Sequence, residues 1–255
     1  MGQLQGKKAL VTGGGQGIGQ AIVDELAQAG CDVVVHYFKS ATGAQTLVSR
    51  YESKVKIACF QADLTDHQQA ATLVKQATNF LGGLDILVNN TGDLLTRRRL
   101  EEIDLDFWHQ VLDVNMTSMM SVTQHALPHL KAAGQAAGAS VVNLSSLAGR
   151  KGGHGGSLAY ATFKGAILTW TRALSAEIAP LGIRVNTVAP GLILGTSFHN
   201  THTTDESVKK TIEGIPLGRA GHPADVARAV RFFASEYDGF INGATLDING
   251  GSHCY

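Results

Sequence analysis

No stretch of this chain restricts its fold more than Ala9 to Val35. Ala9-Leu10-Val11 is a short apolar run, and Thr12-Gly13-Gly14-Gly15-Gln16-Gly17-Ile18-Gly19 follows it. Ile18, Ile22, Leu26 and Ala29 then recur at helical spacing until Gly30, a residue type that ends helices. Val33-Val34-Val35 is an apolar run of the kind buried on both faces in a parallel sheet. Strand, glycine-rich turn, helix and strand within about 30 residues make a βαβ unit. A turn that leaves a strand and opens a helix presents backbone N–H groups and a helix dipole to an anion, so phosphate binding is the reading for residues 13–19.

The alternation continues along the chain. Strands are predicted over 55–60, 85–89, 140–144, 183–189 and 244–248, with helices over 68–81, 105–133, 160–179 and 223–235. Pro128 is expected to break the long helical stretch, Pro180 to end the helix before it, and Pro223 to start the last one. This pattern implies a Rossmann-type doubly wound parallel sheet of about seven strands with helices on both faces. With no linker, repeat or low-complexity tract, residues 1–255 read as one domain.

Charge narrows the partners. The formal net charge is +0, from 21 basic and 21 acidic residues, so no global field draws the chain to nucleic acid or to an anionic membrane. Cys31, Cys59 and Cys254 are scattered and lack metal-ligand spacing, which fits reduced thiols and predicts no metal site. The N-terminus shows no apolar signal core and no stretch is long enough to span a membrane, so the expected location is the cytoplasm.

Tyr160-Ala161-Thr162-Phe163-Lys164 carries the second chemical signal. A tyrosine and lysine at this helical spacing share a face, about 5–6 Å apart at Cβ. The ammonium is expected to stabilise the phenolate and lower the phenol below its usual pKa of about 10.

Taken together, these motifs resemble the short-chain dehydrogenase/reductase family over essentially the whole chain, and its 3-oxoacyl-carrier-protein reductase branch in particular. Thr12-Gly-x-x-x-Gly-x-Gly19 is similar to the family's glycine motif, and Asn89-Asn90-Thr91-Gly92 to its Asn-Asn-Ala-Gly, with Thr91 in place of the alanine. Asn115 matches the helical catalytic asparagine, Ser145-Ser146 ends the fifth predicted strand, and Tyr160 and Lys164 match the Tyr-x-x-x-Lys. Pro190-Gly191 matches the Pro-Gly beside the nicotinamide, and Asn249-Gly250-Gly251 the C-terminal glycine pair.

The resemblance implies an oxidoreductase that moves a hydride between a nicotinamide dinucleotide and a ketone or secondary alcohol. Tyr160 would donate or accept the proton, and Lys164 would lower its pKa and bond the nicotinamide ribose. Ser146 would hold the substrate oxygen and Asn115 would support a proton relay. Ser146 is preferred to Ser145, although 160 − 146 = 14 is one residue more than the usual spacing; the glycine loop 152–156 could absorb it. Gly13, Gly15, Gln16, Gly17, Ile18 and Gly19 would cradle the dinucleotide phosphates, with Asn90, Gly92, Pro190, Gly191 and Ile193 along the rest of it. Asp63 and Leu64 would face the adenine.

Cofactor preference is read after the second strand. His36-Tyr37-Phe38-Lys39-Ser40 lacks the acidic residue that bonds a free ribose 2′-hydroxyl, and resembles the His-Tyr-x-Arg-Ser segment of NADPH-using pteridine reductases. Tyr37, Lys39 and Ser40 therefore point to NADP(H), with NAD(H) as the alternative; Gln16 stands where many NADPH-using relatives carry a base. The substrate is a small carbonyl or alcohol bordered by residues 93–100, 152–156 and 192–214. Arg97-Arg98-Arg99 reads either as solvated surface or as a contact to an anionic substrate, and His154 as surface or substrate contact. Residues 203–212 are expected to form a short mobile helix over the pocket. Alternatives are an NAD(H)-preferring sugar or polyol dehydrogenase and a non-catalytic dinucleotide sensor. A homotetramer is implied by resemblance, and the apolar row Phe163, Ile167, Trp170 and Leu174 is compatible with it or with core packing.

Overall fold

A computed structural model describes residues 4–196, 205–235 and 239–254 of the protein. Its centre is a seven-stranded, wholly parallel sheet in the order β3-β2-β1-β4-β5-β6-β7. The strands are β1 (Lys8–Val11), β2 (Asp32–Tyr37), β3 (Ile57–Gln61), β4 (Ile86–Asn89), β5 (Ala139–Leu144), β6 (Ile183–Pro190) and β7 (Thr245–Ile248). The helices are α1 (Gly17–Gln28), α2 (Ala41–Tyr51), α3 (His67–Leu81), α4 (Leu105–Leu112), α5 (Ser118–Ala137), α6 (Leu147–Lys151), α7 (Leu158–Ile178), α8 (Asp205–Glu213) and α9 (Pro223–Ala234).

Side chains alternate across the sheet as a strand's period of two requires. Ala9, Val11, Val33, Val35 and Val88 pack under α1 and α9, with Ile22, Leu26, Val226 and Val230. Leu10, Val34, Leu87, Val141 and Val185 face the other way, onto Leu73 and Val74 of α3 and Val122, Ala126 and Leu130 of α5. A third cluster joins α4 to α7 through Phe107, Val111, Ala159 and Phe163. Phe163 and Ile167 are spent inside the chain, so core packing accounts for that part of the apolar row. No helix of the described residues is long and apolar enough to cross a membrane.

The strands fall where the apolar runs placed them, to within two residues. Three expectations change. Pro128 does not break its helix, since α5 runs through it from Ser118 to Ala137; burial of Val122, Ala126 and Leu130 outweighs the single hydrogen bond a proline removes. The irregularity lies instead at Asp113–Thr117, a π-helical turn between α4 and α5 centred on Asn115. Helix α2 was not foreseen, because its buried residues are only Ala44, Leu47 and Tyr51 and its apolar stripe is thin. The stretch 203–212 holds the start of α8 from Asp205 onward, whereas Thr203 and Thr204 lie outside the described residues.

Candidate active site

β1 pairs with β2 on one side and β4 on the other, so the winding of the sheet reverses there. In open α/β sheets the crevice beyond the carboxyl ends of such strands is where ligands bind. A cavity of about 1140 Å³ occupies that position. It exceeds the roughly 300–1,000 Å³ of single-ligand clefts, which suits two ligands side by side. Gly13, Gln16, Gly17, Ile18 and Gly19 form one end, with Phe38, Lys39 and Ser40 after β2. Asn90, Gly92, Ser146, Tyr160, Lys164, Pro190, Gly191 and Ile193 form the middle.

The glycine turn is built by close approach. Gly13 and Gly17 take φ of 62° and 54°, left-handed values that suit glycine. A side chain on Gly19 would run into the carbonyl of Gly13 and lie 2.6 Å from Asn90 Nδ2. Asn90 Nδ2 donates to the carbonyls of Thr12 and Gly13, 3.0 Å each, and thereby ties the end of β4 to the turn after β1. The turn then opens α1, whose Gln16 N-cap makes no side-chain bond to the first-turn N–H groups.

His36 was noted in the sequence only as a non-acidic residue; the fold gives it a definite task. The Gly13 N–H donates to His36 Nδ1 at 3.0 Å, which fixes the tautomer, so Nε2–H donates to the Ala62 carbonyl at 3.0 Å. Burial pushes this imidazole down to about 4 and keeps it neutral. Lys39 and Ser40 reach the cavity wall, with no carboxylate at that end among the described residues.

Four predicted cofactor residues do not line the cavity. Gly15 faces Ser40, where an added side chain would collide with the serine hydroxyl and backbone. Tyr37 packs beside the α1 and α2 side of the core, and Leu64 is buried against α3. Asp63 spends a carboxylate oxygen on its own turn, accepting from the Thr65 N–H at 3.0 Å and hydroxyl at 2.7 Å.

The cluster around Tyr160 draws on four elements. Lys164 is 3 % exposed and its ammonium donates to the Leu144 carbonyl at the end of β5, 2.9 Å away. Its Nζ lies 5.8 Å from the centre of the Tyr160 ring. Ser146 hydrogen-bonds the Tyr160 phenol and accepts from the Ala148 N–H at 3.1 Å as the N-cap of α6. Ser145 instead donates to the Lys164 carbonyl at 2.6 Å, so of the two serines Ser146 is the one beside the phenol. The glycine loop after α6, between Ser146 and Tyr160, takes left-handed φ of 94°, 74° and 75° at Gly152, Gly153 and Gly156.

Asn115 stands behind the cavity wall, fully buried in the π turn. Its Nδ2 donates to the Asp93 carbonyl at 2.7 Å and the Val111 carbonyl at 2.9 Å, while Oδ1 has no hydrogen-bond partner among the described residues. A Cβ placed on Gly92 would stand 2.7 Å from that oxygen and 2.6 Å from Lys164 Nζ. The glycine is thus what lets the amide and the ammonium approach one another. Thr91 Oγ1, in the same wall, is a second buried polar atom without a partner among the described residues.

Electrostatics correct one expectation. With the protein's own groups around it, Tyr160 is pushed up to about 12, chiefly by burial, with Asp93 raising it and Ser146 lowering it. Lys164 is pushed down to about 8 by its own burial, against an upward pull from Asp93. The expected fall in the phenol's pKa is absent because burial dominates and the ammonium makes its short contact to Leu144 rather than to the phenol. Asp93 was missed as a tuning residue, since nothing in its local sequence tells which titratable groups it will face.

The arginine run divides by partner. Arg98 pairs with Asp104 at 3.0 Å and stacks 4.3 Å from the Phe107 ring centre. The Arg99 N–H donates to Glu102 at 2.7 Å as part of a capping box. Arg97 lines the cavity with Lys151, His154 and Lys210.

Comparison with known proteins agrees with this geometry. The family model described as enoyl-(acyl carrier protein) reductase matches residues 13–253. The chain is 35 % identical over 252 residues to the 3-oxoacyl-[acyl-carrier-protein] reductase FabG of Staphylococcus aureus, covering 97 % of this chain and 98 % of that one. Among solved structures, an NADH-dependent reductase responsible for alginate metabolism is 34 % identical with a TM-score of 0.91 over 100 % of both chains. A short-chain dehydrogenase from Burkholderia cenocepacia in complex with NADP is 33 % identical with a TM-score of 0.90, covering 99 % of this chain and 100 % of that one.

Proposed function

Because this chain belongs to the short-chain dehydrogenase/reductase family of NAD(P)-dependent oxidoreductases, we propose that it reduces a ketone, with Tyr160 as proton donor, and that NADP(H) is its preferred cofactor. The carrying observation is the hydrogen bond of Ser146 to the Tyr160 phenol, beside Lys164 and at the mouth of the glycine cradle. The residues present fit a dinucleotide: side chains on Gly14, Gly15 or Gly19 would collide with neighbouring atoms, so the turn stays bare there, and Thr91 Oγ1 and Asn115 Oδ1 are polar atoms still to be matched. Gly13 to Gly19 would hold the phosphates, and Pro190, Gly191 and Ile193 the far end.

When bound, a nicotinamide supplies or accepts the hydride. Ser146 holds the substrate oxygen by its hydroxyl, and Tyr160 gives that oxygen a proton as negative charge develops on it. The net change is one hydride and one proton added across the C=O bond. Burial holds the phenol in its protonated form, the form a proton donor needs. Lys164 keeps a positive charge within 5.8 Å of the ring and passes a proton back to the Tyr160 phenolate, resupplied from the side of Asn115, whose Oδ1 lies beside the same glycine.

Lys39 and Ser40 support NADP(H), since a cation and a hydroxyl attract a 2′-phosphate where a carboxylate would repel it. Assembly as a homotetramer belongs to the same proposal, and elution from gel filtration at monomer size would remove it. A panel of ketones read at 340 nm with NADPH and with NADH tests the activity. Tyr160→Phe is expected to lose at least a hundredfold in kcat, in line with removal of a general acid; full turnover by that variant overturns the mechanism.

A further inference from the structure

We propose that the ketone substrate carries a carboxylate, and that Arg97, Lys151 and His154 form the subsite that holds it. This rests on the reading of Tyr160 as proton donor and adds the substrate class to it.

Charge and placement support the subsite. The cavity wall carries Arg97, Lys151 and Lys210, which belong to the segments 93–100, 147–151 and 205–213 rather than to the glycine turn, and among the described lining residues Asp93 is the single carboxylate. Asp93 acts on Tyr160 and Lys164, raising the pKa of both, so it belongs to the proton machinery. Lys39 lies at the opposite end, on the segment after β2. The cationic excess therefore sits on the substrate side.

The position of Arg97 is built, not incidental. Its Nη1 donates to the Gly155 carbonyl at 3.1 Å, and the next residue's N–H donates to the Gly156 carbonyl at 3.0 Å. Arg98 and Ser157 form a parallel bridge at the same place. Gly156, with φ of 75°, leaves just enough room, because a Cβ there would lie 2.9 Å from the Arg97 Cβ. The arginine stem is thus zipped against the glycine loop that also carries His154. His154 lines the cavity with Arg97 and Lys151, and its pKa is depressed by burial and then by the positive charges of those two residues. A carboxylate among them relieves that repulsion and gains charge-assisted hydrogen bonds. A guanidinium held by its own loop loses little freedom on binding, which favours a specific anion over diffuse attraction.

The test pairs each of several oxo-acids with its methyl ester, which keeps the carbonyl and removes the charge. For the parent protein we expect kcat/KM for the acid to exceed that for the ester by at least tenfold, with the ratio falling as salt is raised. Arg97→Gln should collapse the ratio toward one and Lys151→Gln lower it severalfold, while Arg97→Lys restores part of it. Lys131→Gln, an exposed cation on α5 outside the cavity, should leave the ratio unchanged. A second readout needs no turnover: the rise in melting temperature caused by a saturated aliphatic carboxylate with dinucleotide present, lost in Arg97→Gln. Equal kinetics for acid and ester in the parent overturn the subsite and leave the oxidoreductase standing. Carboxylate binding through Arg97 with no carbonyl reduced overturns the oxidoreductase reading and leaves the subsite.

Discussion

Gly92→Ala is the sharpest probe of the site, because the substitution is minimal and its steric consequence can be worked out. Gly92 is not among the glycines with positive φ, so alanine brings no backbone strain. The added methyl carbon would stand 2.6 Å from Lys164 Nζ, 2.7 Å from Asn115 Oδ1 and 3.3 Å from Lys164 Cε. Restoring an ordinary separation of about 3.5 Å requires the ammonium to move by roughly 0.9 Å. Such a movement takes the 2.9 Å bond from Lys164 to the Leu144 carbonyl out of hydrogen-bond range. A hydrogen bond from a charged donor contributes about 1.5–3 kcal/mol, and each 1.4 kcal/mol is about tenfold in rate. Gly92→Ala should therefore lower kcat by roughly 10- to 150-fold, the loss also expected when a catalytic group is misplaced by about 1 Å. The assay is steady-state reduction of the best ketone in the panel at saturating cofactor, with thermal melts run alongside. Melting should fall by no more than about 12 °C, since the same bond, about 1.5–3 kcal/mol, is all that stability loses. If Gly92→Ala retains kcat within twofold of the parent, the close contact of Gly92, Lys164 and Asn115 has no bearing on turnover and the reasoning fails.

Other expectations follow from the same geometry. His36 has a folded pKa of about 4 against an unfolded 6.5, so the unfolded chain takes up the proton first, and the stability this group contributes above pH 6.5 is lost as pH falls toward 4. The gap corresponds to about 3 kcal/mol, and urea titrations across that window should show a shallower decline in His36→Asn than in the parent. Asp93 raises the Tyr160 phenol and Ser146 lowers it, so in alcohol oxidation the rate should climb at lower pH in Asp93→Asn and at higher pH in Ser146→Ala, read from pH profiles of kcat/KM. Ser145→Ala, which removes a bond to the Lys164 carbonyl and not to the phenol, should leave that profile in place. Lys39→Ala should raise KM for NADPH by about tenfold with little change for NADH, as expected for loss of one ion pair to a phosphate; equal effects on both cofactors would remove the 2′-phosphate assignment.

Much of the site could be read from the chain because its parts are locally encoded. The glycine turn, the Tyr160 and Lys164 pair one helical turn apart, and the apolar strands are each set by a few neighbouring residues; in the fold the turn opens α1, the pair sits on α7 and the runs form the parallel sheet. Two serines adjacent in sequence could not be told apart in this way. Opposite orientations at the end of β5 send Ser145 to the Lys164 carbonyl and Ser146 to the phenol. The π turn at Asn115 escaped notice because a helical period of 3.6 and a local widening to π geometry produce nearly the same residue pattern. Gly15, Tyr37, Asp63 and Leu64 carried the expected residue types, yet the cavity wall passes them by.

What the amino-acid sequence determined by itself was the alternation of strand and helix and the phosphate-cradle turn, since periodicity and glycine backbone freedom act over a few residues. Only the tertiary structure decided the electrostatics. Burial drives Tyr160 up and Lys164 down, Asp93 opposes the second of these, and His36 is held neutral while bonding the Gly13 N–H from the neighbouring strand. Each depends on which groups far apart in the chain share one low-dielectric space, and no local pattern carries that information.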